Sequence, residues 1–497
     1  MPPNNGEPNK TGYLSFTTPS DFINFLSTPS NLTALLSDLV ANPQNYSLYL
    51  PSNPKDYLLY VPSSSNDPLF AIEKAILAVT PRSLINQFIK SGNLATAIAS
   101  FESSNISALE EYTGVKLSLT RSSTNDVIES IIQQLRKATR VTGSPTASVY
   151  PVILDNRLEI LVVFPNGNIV QKSVADIPKE ELLSVITNFR DSLLDFDSED
   201  YLIGAQKLHD WLIKPIEVSL KAEGIGTLIF TMDGALRAIP PAALHDGKQF
   251  LVEKYAIASV PSLRLAKLEE RDRKNRQVLA MGLTVAVKEF SALPSVKAEI
   301  DNIVGNNNTS PLLIGTSFLN EQFTLENMQT QRKQQDYGIV HLATHAKVEG
   351  NKAENSFIQF FDKRLTLDQI PKLNLDKPQV EMLTLSACQT AVGDSLGIAG
   401  LATISGVRSV LASLWTVSDA GTVPLMLSFY SRYADAPSKA IALQKAQLAI
   451  LQGTVNIENN KINGISKLPA IPLPANSPNS IKHPYFWSSF VIVGSWL

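Results

Sequence analysis

Two short apolar runs, at residues 338–347 and 382–390, constrain the fold of this chain more than any other feature. Each run is rich in residues that suit a buried strand, and each ends abruptly in small and polar residues. Open α/β sheets place their chemistry in the crevice outside the carboxyl ends of such strands. The pattern therefore predicts two neighbouring parallel strands whose ends open onto one crevice.

Each predicted strand end delivers one side chain that can take part in catalysis. His345 follows the first strand, and Cys388, the only cysteine in the 497 residues, follows the second. A thiol needs a base to become a good nucleophile, and imidazole titrates near neutral pH. We interpret the two residues as a Cys–His dyad. The alternative is that Cys388 only packs in the core.

Four motifs follow one another: His-Leu-Ala-Thr-His-Ala at 341–346, Leu-Ser-Ala-Cys-Gln-Thr at 385–390, Ser-Leu-Trp-Thr-Val-Ser-Asp at 413–419 and His-Pro-Tyr-Phe-Trp-Ser-Ser-Phe at 483–490. In this order they resemble the CHAT family of caspase- and separase-like cysteine peptidase domains, and its cyanobacterial members in particular. The resemblance covers roughly residues 145–497. The histidine precedes the cysteine by 43 residues, close to the roughly 50 of the caspase arrangement.

The resemblance and the alternation of predicted strands and helices indicate the same fold class. We expect an α/β fold, a caspase-like three-layer α/β/α sandwich with a mainly parallel sheet, preceded by a small helical N-terminal region. In separase-like proteins a non-catalytic α/β half precedes the catalytic half. Helical periodicity predicts a helical region at 1–122, and the resemblance implies a non-catalytic half at 123–285 followed by a catalytic half at 286–497.

Local patterns predict individual elements. Turn residues between short apolar runs predict a three-stranded meander over 148–174. A helix is expected over 318–328, and another is expected to begin near Thr422. The stretch 455–482 is polar and rich in Pro and Asn, which favours a long surface loop.

Composition excludes several classes of function. Apolar content of 44% and charged content of 18% are typical of a soluble globular protein, and a net charge of −3 gives no reason to expect nucleic acid or an anionic membrane as partner. No run reaches the roughly 18 apolar residues of a membrane span, and the N-terminus does not resemble a secretory signal. With one cysteine and no third ligand at suitable spacing, we expect no metal and no cofactor. A reducing, cytoplasmic location suits a working thiol.

The resemblance implies acyl transfer. The Cys388 thiolate attacks a peptide carbonyl, and His345 supplies a proton to the departing amine. The backbone N–H groups of Cys388 and Ala346 are the candidate donors to the oxyanion. Ala346 departs from the glycine that usually follows the catalytic histidine in caspase relatives.

Specificity is predicted from acidic residues near the dyad. Asp419 ends a segment that resembles one of separases, where the acid lines a pocket for arginine, and a carboxylate there would select Arg or Lys at P1. Alternatively, Asp419 caps the helix expected near Thr422. Asp394 is the competing pocket acid. Trp415 is interpreted either as a pocket wall or as a core residue.

Two functional hypotheses remain at this stage. The first is a cysteine endopeptidase that cleaves a specific protein substrate, with a possible regulatory protein partner. The second is a catalytically silent scaffold of the same fold that binds protein partners. The presence of both dyad residues favours the enzyme. His341 is interpreted as a hydrogen-bonded structural histidine in either case.

Overall fold

The structure is a computed structural model, and it describes residues 81–117, 122–266, 268–269, 276–305, 310–347, 353–373, 375–386, 406–475 and 477–497. The chain divides into two compact units. One consists of Met1–Ser107 and Ser118–Glu129, and the other of Ala108–Leu117 and Ser130–Leu497. The described residues of the first unit are mainly helical, and the second unit contains the sheet.

The helices begin and end as follows: α1 Pro81–Lys90, α2 Leu94–Thr113, α3 Thr124–Thr142, α4 Lys179–Leu194, α5 Tyr201–Leu212, α6 Lys214–Ala222, α7 Leu251–Lys254, α8 Ser295–Val304, α9 Leu325–Gln334, α10 Asp419–Tyr433, α11 Lys439–Leu451 and α12 Pro484–Trp487. No helix in the part of the chain that the structure describes is both long and apolar enough to cross a membrane.

The strands are β1 Thr146–Ile153, β2 Arg157–Val163, β3 Ile169–Ala175, β4 Thr227–Phe230, β5 Ala256–Ser259, β6 Val278–Gly282, β7 Gly315–Leu319, β8 Ile339–Ala343, β9 Ala346–Lys347, β10 Phe357–Gln359, β11 Arg364–Thr366, β12 Met382–Ser386, β13 Ser409–Ser413, β14 Asn456–Glu458, β15 Lys461–Asn463, β16 Ile471–Pro472 and β17 Phe490–Gly494. Eleven of them form one sheet, in the order β3-β2-β1-β4-β5-β17-β13-β12-β8-β6-β7.

The sheet contains two parallel groups that run in opposite directions. Strands β13, β12, β8, β6 and β7 are parallel to one another, and so are β1, β4 and β5. The last strand, β17, joins the groups because it pairs antiparallel with β13 and parallel with β5. The mainly parallel α/β sheet predicted from the sequence is confirmed, as is the meander, which β1, β2 and β3 form.

Both faces of the β8–β12 region are covered. On one face, alternate strand residues such as Leu342 and Leu385 enter a core with Met328 of α9 and Ile370 of a short 3₁₀ helix. Burying each such side chain contributes roughly 1.5–3 kcal/mol. Helices α8 and α10 pack together beside the opposite face, where Tyr430 of α10 contacts β8 and β12. This arrangement gives the three layers of the predicted sandwich.

Two predicted elements are wrong. The helix expected over 318–328 is instead the end of β7, a short 3₁₀ turn and a helix that begins at Leu325, because the Thr324 hydroxyl accepts the N–H of Asn327 and caps α9 there. The stretch 455–482 is not only loop, since β14, β15 and β16 form a small antiparallel sheet within it. The helix expected near Thr422 is confirmed, with its first residue at Asp419.

A buried ion-pair network fixes the starts of β12, β13 and α11. Glu381 lies just before β12, and its carboxylate contacts Lys439 Nζ at 2.7 Å and Arg408 Nε at 3.4 Å. Arg408 also contacts the half-exposed Glu269 at 2.6 Å. The side chains of Glu381, Arg408 and Lys439 are almost completely buried. Desolvated charges of this kind are stable only while their partners remain.

The substitution Glu381→Leu should lower the free energy of unfolding by about 3–5 kcal/mol, because it leaves the Lys439 ammonium buried without this carboxylate. Adding Lys439→Met should restore most of the loss, since the remaining cation, Arg408, still contacts Glu269. Urea denaturation of both variants and the wild type measures the difference. A double variant as unstable as the single one would contradict the prediction.

His209 of α5 is buried without a hydrogen bond to either ring nitrogen among the described residues. Burial lowers its pKa from the ordinary 6.5, while Glu217 and Asp246 oppose that shift. A histidine whose folded-state pKa is lowered binds its proton more readily in the unfolded chain. The folded protein is therefore destabilised as the pH falls through the pKa that His209 has in the unfolded chain.

Replacing His209 with Leu should remove this acid sensitivity, because the apolar side chain carries no proton into the unfolded state. The melting temperature of His209→Leu minus that of the wild type should become more positive as the pH falls from 8 to 5. Differential scanning calorimetry across that range measures it. A difference that is constant with pH would show that His209 does not titrate on unfolding.

Candidate functional site

The pairing of β8 with β12 sets the floor of the candidate site. Ala343 and Ser386 are register partners at the carboxyl ends of these parallel strands, and Thr344 N–H donates to the Ser386 carbonyl at 3.2 Å. His345 follows Ala343 by two residues. Cys388 follows Ser386 by the same number in sequence, but Cys388 and Asp394 lie outside the described residues.

The His345 ring is fixed from two sides. Its Nε2 lies 2.9 Å from the Ser291 carbonyl oxygen, and its ring stacks on Phe290 with centroids 4.7 Å apart. A carbonyl oxygen only accepts hydrogen bonds, so Nε2 carries the proton and Nδ1 of the neutral ring is unprotonated. His345 is 8% exposed, and burial lowers its pKa, opposed by the Ser291 bond and by Asp419. Burial is the larger effect, and the lowered pKa favours a neutral ring at pH 7.

The backbone after His345 is oriented by β10. Gln359 N–H donates to the His345 carbonyl at 2.8 Å, so residues 345 and 359 form a hydrogen-bonded antiparallel pair. The next pair, Ala346 with Ile358, is then a non-hydrogen-bonded one, in which the backbone N–H points away from the partner strand. The Ala346 N–H therefore does not point toward β10.

Asp419 lies in the first turn of α10, and the structure corrects its alternative role as the cap of that helix. Ser418 is the cap, since its hydroxyl accepts Gly421 N–H. The Asp419 carboxylate instead turns to a different helix, and its Oδ2 accepts Ser295 N–H at 2.9 Å at the start of α8. Asp419 thereby links α10 to α8.

The electrostatics connect Asp419 to the predicted base. Burial is the largest effect on the Asp419 carboxyl and raises its pKa. Hydrogen bonding with Ser295 and the charge of His345 oppose this shift, whereas Glu299 adds to it. In turn, the Asp419 charge raises the pKa of His345. Among the described residues, the structure thus brings together His345, Ala346 and Asp419 from the predicted set.

Trp415 is a core residue. Its side chain is 1% exposed, and its indole N–H donates to the Tyr485 carbonyl at 3.2 Å. Tyr485 O–H donates in return to the Thr416 carbonyl at 3.0 Å. His483 accepts Tyr485 N–H and so caps the short helix α12. The motifs at 413–419 and 483–490 therefore pack against each other and hold the end of β13.

His341 belongs to a buried hydrogen-bonded network under the site, in agreement with its predicted structural role. Its Nε2 lies 3.0 Å from Glu299 Oε1 and its Nδ1 lies 3.1 Å from Tyr430 O–H. The same phenol oxygen lies 2.7 Å from the Thr384 hydroxyl. The network ties α8 and α10 to β8 and β12.

Sequence reasoning missed Ser291, Glu299 and Tyr430. A signal for Glu299 did exist, because Val296, Glu299 and Ile303 are spaced by three and four residues and share one face of α8. An acid on an apolar helix face indicates a buried partner. No pattern in the sequence indicates the Ser291 carbonyl. The described residues contain no cluster of three His, Cys, Asp or Glu side chains suited to a metal ion.

Solved structures similar to this chain include two crystal structures of the Saccharomyces cerevisiae separase–securin complex, at 3.0 and 2.6 Å resolution. The first match covers 98% of this chain and 41% of the other, with 12% identity and a TM-score of 0.48. The second covers 96% and 44%, with 12% identity and a TM-score of 0.44. This chain thus spans about two fifths of the length of those chains. No curated protein matches the sequence.

A family model decides the relationship. The model described as the CHAT domain matches residues 203–495, more than half of the 497 residues. The matched span contains β8, β12 and β13 and all four motifs on which the resemblance rests. The chain belongs to the CHAT family.

Proposed function

We propose that this protein is a cysteine endopeptidase in which Cys388 is the nucleophile and His345 is the base. The observation that carries the proposal is the fixed His345 ring, whose Nε2 lies 2.9 Å from the Ser291 carbonyl oxygen, next to the paired ends of β8 and β12. Its Nε2–H is held by Ser291, so Nδ1 is the nitrogen available to a thiol. Cys388 follows Ser386 by two residues, which bounds its Cα to within about 7 Å of that strand end.

The proposed reaction begins when Cys388 Sγ gives its proton to His345 Nδ1 and attacks the carbonyl carbon of the scissile peptide bond. The backbone N–H groups of Cys388 and Ala346 stabilise the oxyanion. The C–N bond then breaks as the imidazolium returns the proton to the leaving amine. Water, deprotonated by His345, hydrolyses the thioester and regenerates the thiol.

The direction of the strands supports a division of the α/β region into a catalytic half and a non-catalytic half. The carboxyl ends of β1, β4 and β5 lie at the opposite edge of the sheet from those of β8 and β12. We therefore assign the chemistry to the group that contains β8. Because β6 pairs with β8, we assign β6 to the catalytic half. The proposed boundary between the halves then lies before β6 and not at residue 285.

The substrate of the proposed enzyme is a protein with a basic P1 residue. A carboxylate at the base of a pocket selects Arg or Lys by charge complementarity. Asp419 supports this, since it lies close enough to His345 for each charge to shift the other's pKa. Asp394 is the second candidate for that carboxylate. We also propose a cytoplasmic location, because a reducing compartment suits a working thiol, and a regulatory protein partner.

Cys388→Ala and His345→Ala should each abolish cleavage while leaving the protein folded. The two groups act as a unit, so the double variant should be little worse than either single one. Fluorogenic peptides with Arg at P1, with circular dichroism as the control for folding, test this. Cleavage by the Cys388→Ala protein would overturn the assignment. Inactivity of the wild type toward a full peptide library would favour the silent scaffold.

P1 selectivity gives a separate test. The wild type should prefer peptides with Arg or Lys at P1 over matched peptides with Met or Asp. If Asp394 supplies the pocket charge, Asp394→Asn should abolish that preference, and if Asp419 supplies it, Asp419→Asn should do so. The reason is that the P1 cation of the peptide would be buried without its partner, which is costly. The ratio of kcat/KM values for the Arg and Met peptides measures it. A wild-type preference for Asp at P1 would defeat the basic-P1 proposal, since a carboxylate pocket repels it.

A further inference from the structure

Residues 291–295 carry two hydrogen bonds that end at different functional groups. The Ser291 carbonyl accepts His345 Nε2–H at 2.9 Å, and Ser295 N–H donates to Asp419 Oδ2 at 2.9 Å. Between them, the ring of Pro294 fixes φ near its observed −62°. The two hydrogen bonds thus lie four residues apart on one short segment, so the position of Ser295 limits where the Ser291 carbonyl can lie.

Helix α8, which begins at Ser295, is anchored a second time one turn later. Glu299 Oε1 lies 3.0 Å from His341 Nε2, and both side chains are almost completely buried. His341 belongs to β8, the strand that leads to His345. The helix is thus fixed to the same strand whose end it helps to orient, and Asp419 supplies the anchor at the helix start.

We propose that Asp419 is a positioning residue for His345. By accepting Ser295 N–H, its carboxylate fixes the segment 291–295, and the Ser291 carbonyl then holds the imidazole as the Nε2–H tautomer. The role rests on the proposed function of His345 as the base. It is independent of which carboxylate contacts the P1 side chain.

The negative charge of Asp419 also acts on His345, separately from the hydrogen bond that Asp419 accepts, because it raises the pKa of the imidazole. Among the described residues, Asp419 is the charged side chain that shifts the pKa of His345, and the Phe290 ring covers one face of the imidazole. Glu299 and His345 are the charged or titratable groups that act on Asp419. Because Asp419 raises the pKa of His345, removing only its charge should lower that pKa.

Two substitutions separate anchoring from charge. Asp419→Asn keeps an oxygen that can accept Ser295 N–H but removes the charge, whereas Asp419→Ala removes both. Asp435→Asn is the matched control, since Asp435 is exposed beyond the other end of α10 and pairs with Lys467 on the surface. If the Asp419→Ala protein does not fold, Asp419→Ser serves as the variant without the anchor, because the serine hydroxyl is too short to reach Ser295.

The first readout is the His345 ring in the full-length protein, followed by NMR with labelled histidine and assigned with His345→Gln. In Asp419→Asn the Nε2–H tautomer should persist and the pKa of His345 should fall. In Asp419→Ala the ¹⁵N shifts should show a mixture of tautomers. The control should match the wild type in both properties. An Ala variant with the wild-type tautomer would overturn the proposal.

The second readout is kinetic. Asp419→Ala should lower kcat for the Met peptide, whose P1 side chain needs no carboxylate partner, by about 10- to 100-fold, because misplacing a reacting group has this cost. With the Met peptide, whose P1 side chain is uncharged, Asp419→Asn should keep much more of the wild-type kcat than Asp419→Ala does, because its amide oxygen can still accept Ser295 N–H. Equal losses of kcat in Asp419→Asn and Asp419→Ala would show that the hydrogen bond from Ser295 N–H is not the cause, and would overturn the proposal. If the wild type cleaves no peptide, the proposed function fails, and the tautomer measured by NMR still decides whether Asp419 positions His345.

Discussion

The candidate site depends on the register between β8 and β12. Because Ala343 pairs with Ser386, the two strands end at the same level, and the chain leaves both at the same edge of the sheet. A slip of one residue would turn either His341 or Thr384, on whichever strand shifts, toward the opposite face and break its bond to Tyr430. Register and network therefore stabilise each other, and the position of His345 follows from both.

The reversal of strand direction at β17 explains why the chemistry is confined to one part of a large sheet. In a uniformly parallel sheet, all carboxyl ends would meet at one edge. Here β17 pairs antiparallel with β13, so the strands on either side present their carboxyl ends at opposite edges. The Asp-Gly turn after β4 is thereby separated from His345. Asp233 there instead accepts the N–H of Ile153, which joins β4 to β1.

The sequence predicted the sheet and the position of His345 because both are recorded in short-range patterns. Buried strands read as apolar runs, and a polar residue after such a run identifies a strand end. The partners of His345 could not be predicted in the same way, because Ser291 contributes only its carbonyl and any residue supplies one. The helix expected over 318–328 failed for a related reason. Edge pairing of β7 with β6 is a long-range contact that local propensity does not contain.

Burial of His345, the proposed base, also favours one protonation state of its ring. Transfer of imidazolium into a poorly solvated position is unfavourable, so burial lowers the pKa of His345. The Ser291 carbonyl and Asp419 favour the protonated ring and oppose that shift, and burial prevails. The resting site then holds a neutral imidazole that can accept a proton, and the same two groups stabilise the cation once the proton arrives. This balance is compatible with the proposed acyl transfer, because a base that is protonated only transiently suits that reaction better than a histidine held permanently charged.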